Sequence, residues 1–176
     1  MNFETSKTKK NLLAAFAGEA QARNKYTYFA SKAKKEGYEH IASVFLETAE
    51  NEKEHAKIWY KYLHNIDSTS QNLQTAAEGE NYEHTTMYKT FAEEAEEEGF
   101  HDIAQKFRLV AEIEKKHEDT FLKLLNEIKN DEVFKRKTGV VMWRCRNCGH
   151  IHIGSEAPER CPVCDHPQGY FEIFYN

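Results

Sequence analysis

Cysteine and proline are missing before position 145 of this 176-residue chain, since all four cysteines and all three prolines lie between Cys145 and Pro167. Proline breaks helix interiors, so its absence allows long helices. Long apolar runs are missing too, and with a mean hydropathy of -0.80 no segment approaches the roughly 20 apolar residues of a membrane helix. There is no basic stripe, and a net charge of -5 does not favour binding to nucleic-acid phosphates. We therefore predict no interaction with membranes or nucleic acids.

The N-terminal sequence lacks the usual targeting features. Residues 1–13 contain neither the apolar core nor the small-residue cleavage site of a secretory signal, and they are not the arginine-rich, acid-poor sequence of a transit peptide. The expected location is the cytoplasm, where thiols stay reduced.

Composition divides the chain into a helical part and a cysteine-rich part. Residues 6–130 are rich in Ala, Glu, Lys and Leu, which favour helices. Their apolar residues recur with a 3.6-residue period and predict four helices, near residues 6–36, 41–63, 72–98 and 100–130. We expect a loop at 64–71, with Asn72 capping the third helix. The predicted domains are a four-helix bundle at 1–134, a linker at 135–140 and a small metal-binding domain at 141–176.

The helical part contains an internal repeat. The segment AENEKEH at 49–55 matches AEIEKKH at 111–117, so that position 49 corresponds to position 111. Upstream this correspondence shifts by one, and Glu19 pairs with Glu80. The third helix therefore holds one extra residue between Glu80 and Tyr88. An extra residue within a helix predicts a π-bulge, a feature concentrated at functional sites.

Each repeat carries a Glu-x-x-His pair, and the preceding helix adds a matching glutamate. The pairs are Glu52 with His55 and Glu114 with His117. Side chains three residues apart on a helix share a face and can reach one metal ion. Clustered carboxylates need cations to offset their charge when they are buried. The repeat therefore predicts a two-metal site, with the candidate ligands Glu19, Glu52, His55, Glu80, Glu83, Glu114 and His117.

A single Glu-x-x-His pair in such glutamate-rich helices is usually a solvated face, so the prediction depends on the repetition. The remaining histidines of the helical part are expected at the surface or at helix ends: His40, His64, His84 and His101. Tyr26 and Tyr88 follow Glu19 and Glu80 by about two turns and either donate hydrogen bonds to the ligands or pack in the bundle.

The cysteines form two C-x-x-C pairs, Cys145 with Cys148 and Cys161 with Cys164, separated by twelve residues. Four thiolates at this spacing predict tetrahedral metal binding. The segment from 141 to 176 is too short for a stable core of its own, so a metal is expected to hold this domain together. The spacing alone leaves zinc and iron open.

The repeated ligand helices, the additional Glu83 and the cysteine tail together resemble the rubrerythrins over essentially the whole chain. The resemblance implies an all-α, four-helix ferritin-like bundle with a small C-terminal rubredoxin-like domain. It also implies iron in both: a di-iron site in the bundle and one iron held by the four cysteines.

The resemblance also implies how the ligands are shared. Glu52 and Glu114 would bridge the two irons, Glu19 and Glu80 would be terminal ligands on one iron each, and His117 would bind the second iron. The first iron would exchange ligands with redox state, taking Glu83 when ferric and His55 when ferrous. Such an exchange is chemically reasonable, because the harder ferric ion favours anionic oxygen.

The activity implied is an NADH-linked reduction of hydrogen peroxide to water that protects against oxidative stress. Electrons would come from an external donor, a reductase or rubredoxin, and pass through the rubredoxin-like iron. A ferritin-like protein that oxidises and stores iron is the alternative, but it has no evident use for the cysteine tail or for Glu83.

The predicted loop at 64–71 also bears on assembly. In ferritin-like bundles this connection runs the length of the site, and eight residues span at most about 29 Å of the roughly 30 Å required. Exchange of helix pairs between two subunits would relieve this tension. The resemblance separately implies a homodimer.

Overall fold

A computed structural model describes residues 2–175, which divide into two compact units after Asp67. The first unit is a hairpin of two long helices that follows a short 3-10 turn; its helices are α1 (Lys7–Lys35) and α2 (Glu39–Leu63). Ser6 caps α1, because its hydroxyl accepts a hydrogen bond from the Lys9 amide at 3.0 Å. Within residues 2–175, no helix has a stretch long and apolar enough to cross a membrane.

Small residues and a cluster of aromatic rings hold the first hairpin together. The turn between the helices requires Gly37, whose φ of 82° is in the left-handed region. Beside this turn lie the buried alanines Ala30, Ala33 and Ala42. Next to them pack Tyr26, Phe29 and Phe45, with ring centroids 5.7 to 6.3 Å apart.

The second unit begins with a hairpin that repeats this construction. Its helical elements are α3 (Thr69–Tyr82), a π-helical turn (Glu83–Met87), α4 (Tyr88–Glu97) and α5 (His101–Lys129). The turn between α4 and α5 again uses a glycine, Gly99, with φ 83°. The aromatic cluster recurs as Tyr88, Phe91 and Phe107, at the positions that the repeat pairs with Tyr26, Phe29 and Phe45. The internal repeat predicted from the sequence is therefore confirmed as a structural repeat.

The third predicted helix is confirmed in the interior and wrong at its start. The helical run covers 69–97, and the π-turn lies where the repeat offset changes, as predicted. Ser68 rather than Asn72 is the cap, because its hydroxyl accepts from the Gln71 amide at 3.4 Å. The loop is therefore only His64–Ser68, five residues instead of eight.

The second unit ends in a small antiparallel sheet of order β2-β1-β3. Its strands are β1 (Val141–Cys145), β2 (Ile151–Gly154) and β3 (Phe171–Phe174). Trp143 on the central strand is fully buried and donates from its indole N–H to the Gly154 carbonyl at 3.1 Å. It packs with Cys145, Cys161 and Phe171 in the core.

The segment before β1 pairs with the sheet domain. The Arg136 amide donates to the Ser155 carbonyl at 2.6 Å, and the Ala157 amide donates to the Phe134 carbonyl at 2.8 Å. The Phe134 side chain packs against the core around Trp143. Part of the expected linker at 135–140 is thus hydrogen-bonded to the domain that it precedes.

Candidate metal centres

The first hairpin brings three predicted ligands together. Glu19 projects from α1, and Glu52 and His55 project from α2, with potential ligand atoms all within 4.8 Å of one another. The Glu52 Oε2 atom lies 2.9 Å from the His55 Nδ1 atom. The hydrogen bond with His55 is the largest cause that lowers the pKa of Glu52, and the contact with Glu19 acts in the same direction, despite the opposing effect of burial. These contacts hold the Glu52 carboxylate in its anionic form, the state that binds metals.

The second hairpin forms an equivalent group from Glu80 on α3 and from Glu114 and His117 on α5. The His117 Nδ1 atom lies 2.7 Å from the Glu114 carboxylate and 3.6 Å from that of Glu80. Burial raises the pKa of Glu80, and so do the hydrogen bond and the negative charge of Glu114. The crowding of these two carboxylates is a charge repulsion that a bound cation would relieve.

Each group has the donors and the spacing of half a dinuclear site. Ligand atoms bound about 2.1 Å from one metal lie roughly 3 to 4 Å apart, and the histidine–carboxylate distances of 2.7, 2.9 and 3.6 Å in these groups are close to that range. The glutamates are half-buried, whereas His55 and His117 are about half exposed, at 52% and 51%. Two carboxylates and one imidazole suit a divalent or trivalent first-row metal such as iron.

Glu83, the seventh predicted ligand of the bundle, is the first residue of the π-turn and is half-buried. It is not part of the group formed by Glu80, Glu114 and His117. It lies close enough to affect that group electrostatically, because its charge adds to the raised pKa of Glu80. Burial, followed by the charge of Glu83, also raises the pKa of Tyr88. Glu83 therefore lies beside the second half-site without joining it.

The four cysteines of the tail form a compact cluster. The sulfur atoms of Cys145 and Cys164 are 3.7 Å apart, and those of Cys148 and Cys161 are 3.6 Å apart. A disulfide would need about 2.05 Å. Four sulfurs bound tetrahedrally at about 2.3 Å from a metal are about 3.8 Å apart. The observed distances therefore match a tetrahedral metal site and no disulfide.

Comparison with known proteins identifies the family that has this combination of sites. A family model described as rubrerythrin matches residues 10–125 and, in a second match, 71–141, and a model of the rubrerythrin rubredoxin-like domain matches 143–172. A rubrerythrin of Porphyromonas gingivalis is 53% identical over 95% of this chain and 90% of its own length. The chain belongs to the rubrerythrin family.

Further relatives include a second rubrerythrin and a solved structure. A rubrerythrin of Clostridium perfringens is 49% identical over 96% of this chain and 95% of its own length. A solved mixed-valence structure of nigerythrin is 33% identical, covers 97% of this chain and 88% of its own, and has a TM-score of 0.38. Membership of the family confirms the predicted fold class and the iron cofactors, a di-iron carboxylate site and a rubredoxin-like iron site. Iron, rather than zinc, is therefore the metal of the rubrerythrin tail.

The thiols of the rubrerythrin tail differ in acidity, which predicts how metal binding depends on pH. A hydrogen bond from the His166 backbone lowers the pKa of Cys164 to about 6. The His150 backbone lowers the pKa of Cys148, but partial desolvation of its sulfur and the neighbouring cysteine thiols outweigh it and raise the value to about 12. Metal binding requires thiolates, so the metal must displace the Cys148 proton at any neutral pH.

We expect one fewer proton to be released per metal bound above pH 6 than below it, because Cys164 has then already lost its proton. Calorimetric titration of the reduced, metal-free protein with Co(II), in buffers of different ionisation enthalpy, measures this number. A proton count that stays constant between pH 5 and pH 7.5 would contradict the assignment to Cys164.

One histidine of this rubrerythrin lies elsewhere than its sequence predicts. The sequence places His84 at the surface or at a helix end, but its side chain is only 15% exposed and its Nε2 atom lies 2.8 Å from the carboxylate of Glu118. Glu118 directly follows the predicted ligand His117. One sequence feature could have indicated this contact: His84 lies between Glu80 and Tyr88, where the third helix holds one extra residue.

Proposed function

We propose that the chain is a cytoplasmic hydrogen peroxide reductase that protects against oxidative stress. The observation that carries this proposal is the combination of two matching carboxylate–imidazole half-sites with a tetrahedral four-thiol site in one chain. An iron-storage protein needs the half-sites alone. A one-electron iron centre attached to them supports repeated reduction of a substrate.

The residues take different roles in this proposal. Glu52 and Glu114 would be shared by two irons, and Glu19 and Glu80 would bind one iron each, with His117 on the second. Irons held by these residues would supply two electrons and Lewis acidity, and hydrogen peroxide, two electrons and two protons give two waters.

Glu83 and His55 provide the response to redox state. His55 already contacts Glu52 in the first half-site, and as a neutral ligand it suits the ferrous ion. Glu83 suits the ferric ion because its carboxylate adds a negative charge as the metal gains a positive one. The exchange keeps the net charge of the half-buried site nearly constant, which limits the cost of changing its charge.

The tail returns electrons one at a time. Cys145, Cys148, Cys161 and Cys164 would hold its iron, and an external reductase or rubredoxin, drawing ultimately on NADH, would supply the electrons. Cys148 is exposed, whereas Cys145 and Cys161 are fully buried. The exposed thiolate is therefore the ligand that an incoming donor approaches most closely.

Rapid mixing of the fully ferrous protein with peroxide or with oxygen tests this function. We expect peroxide to reoxidise the bundle far faster than oxygen does, and replacement of Glu83 by alanine to slow the peroxide reaction at least about tenfold while the absorption of the tail iron stays unchanged. Glu78→Ala is the matched control, because Glu78 is an exposed carboxylate on α3 that accepts a hydrogen bond from the Gln74 side-chain amide. Faster oxidation by oxygen than by peroxide would favour the storage alternative.

We further propose that each di-iron centre is completed by two chains. A ferritin-like bundle contains one long crossover connection. Glu52 lies about three helical turns before the end of α2 at Leu63, and Glu80 lies about three turns after the start of α3 at Thr69. At about 1.5 Å per residue, such a crossover must cover roughly 33 Å.

The observed connection cannot reach that far. His64–Ser68 supplies five residues, and the six Cα steps from Leu63 to Thr69 span at most about 22 Å. With eight residues the crossover would be barely possible, whereas with five it falls short by about 11 Å. A homodimer that exchanges hairpins satisfies the ferritin-like arrangement without unwinding either helix.

A further inference from the structure

One carboxylate contacts the residues on both sides of Glu83. The Oε1 atom of Glu118 accepts a hydrogen bond from the Asn81 side-chain amide at 2.9 Å, and its Oε2 atom lies 2.8 Å from the His84 Nε2 atom. Asn81 precedes the π-turn by two residues, and His84 is its second residue. Glu118 on α5 thus ties the start of the turn to the helix that carries the ligands Glu114 and His117.

The contact between Glu118 and His84 is well protected from solvent, whereas the Asn81 side chain is exposed. The side chains of Glu118 and His84 are 12% and 15% exposed, far less than those of the pair between Glu96 and His101, at 43% and 71%. Water competes little for such a charge-assisted contact.

The first hairpin has no equivalent of this contact. The position that the repeat pairs with Glu118 is Ala56, which is buried. One residue is inserted between Glu80 and Tyr88, so His84 has two possible counterparts. The downstream alignment pairs it with Ala22, and the upstream alignment pairs it with Arg23. The contact therefore occurs in the half of the repeat that also has the π-turn and Glu83.

We propose that Glu118 is a positioning residue that, through Asn81 and His84, fixes the start of the π-turn and so sets where the Glu83 carboxylate can reach. This inference rests on the proposed role of Glu83 as a ligand of the ferric state. With the backbone of the turn held against α5, the redox-linked exchange needs only rotation of the Glu83 side chain. Without the contact, the π-turn can relax and the carboxylate loses its fixed starting position.

Hydrogen–deuterium exchange of the full-length protein measures the structural half of the proposal. In Glu118→Ala we expect the amides of residues 81–88 to exchange roughly tenfold faster or more, in both the metal-free and the iron-loaded protein. Glu96→Ala is the matched control, since it removes a His–Glu pair from the other end of the same hairpin and should leave residues 81–88 unchanged. Wild-type exchange rates in Glu118→Ala would overturn the proposal.

The di-iron reduction potential measures the functional half. Loss of a ferric-state ligand makes the site easier to reduce, so Glu83→Ala should raise the potential, and Glu118→Ala should raise it in the same direction. The double variant should equal Glu83→Ala, because Glu118 acts through Glu83. Glu118→Gln, which keeps one acceptor oxygen, should lie between wild type and Glu118→Ala.

The outcomes separate this inference from the function on which it rests. If Glu83→Ala shifts the potential and Glu118→Ala does not, positioning by Glu118 is disproved while the ligand exchange stands. If Glu83→Ala itself leaves the potential unchanged, the ligand exchange is disproved and the inference falls with it. Additive shifts in the double variant would show that Glu118 acts independently of Glu83 and would also overturn the proposal.

Discussion

Replacement of Cys161 by serine is expected to remove one iron per chain, abolish the visible absorption of the tail and unfold residues 141–175. Cys161 is fully buried and packs in the core with Trp143 and Phe171. Changes in the shell outside a metal site already lower metal affinity about 10- to 100-fold, so loss of a ligand should cost at least about a hundredfold. Without the metal, this small core cannot hold the domain together.

Cys161→Ser should impair donor-driven turnover without affecting the single reaction of the ferrous bundle with peroxide. Steady-state turnover with an external donor should fall at least about a hundredfold, because the electron route is lost. The fully ferrous bundle of Cys161→Ser should still react once with peroxide at the wild-type rate. Metal analysis, absorption spectra and single-turnover mixing measure these three quantities separately.

Val163→Ser provides the matched control for this experiment. Val163 lies between the two cysteines of the second pair, and its side chain is 66% exposed. The substitution should leave iron content and turnover close to those of the wild type. Full donor-driven turnover in Cys161→Ser, with its iron lost, would contradict the proposed electron route through the tail.

The bundle and its candidate ligands could be predicted because each depends on local periodicity. Apolar residues at helical spacing predicted the helices, and the Glu-x-x-His pairs needed only the geometry of one turn to place both side chains on one face. The change of offset near Glu80 predicted the π-turn, because an extra residue in a continuous helix has few other solutions. A single Glu-x-x-His pair is a weak predictor of metal binding, but its duplication at matching positions made the prediction specific.

The errors lie where structure depends on capping or on contacts distant in sequence. Ser68 and Asn72 are both good caps, and sequence alone did not show that the third helix starts one turn earlier, at Thr69. The contact of His84 with Glu118 joins residues 34 positions apart, and it has no counterpart in the first repeat. Neither periodicity nor duplication could reveal it.

The shorter loop has the largest consequence for assembly, and it can be tested by complementation. One variant, Glu52→Ala/His55→Ala, lacks the first half-site, and another, Glu114→Ala/His117→Ala, lacks the second. Each alone should bind no di-iron centre and show no peroxide reaction at the bundle. In a hairpin-exchanged heterodimer of the two, one centre combines both defects and the other combines two intact half-sites.

Co-expression with random pairing should therefore restore about a quarter of the wild-type centres, because about half of the dimers are mixed and each mixed dimer has one intact centre of two. Iron content and single-turnover amplitude measure this fraction, and native mass spectrometry of tagged chains counts the heterodimers.

Pairing wild type with either variant calibrates the readout, since mixed dimers then keep half of their centres whether or not the hairpins are exchanged. If each chain builds its own centre, the mixed dimer of the two variants has none, so abundant heterodimers without di-iron would disprove the exchange. Recovery near one quarter would require hairpins from two chains at each centre, because each variant supplies only one of the two half-sites.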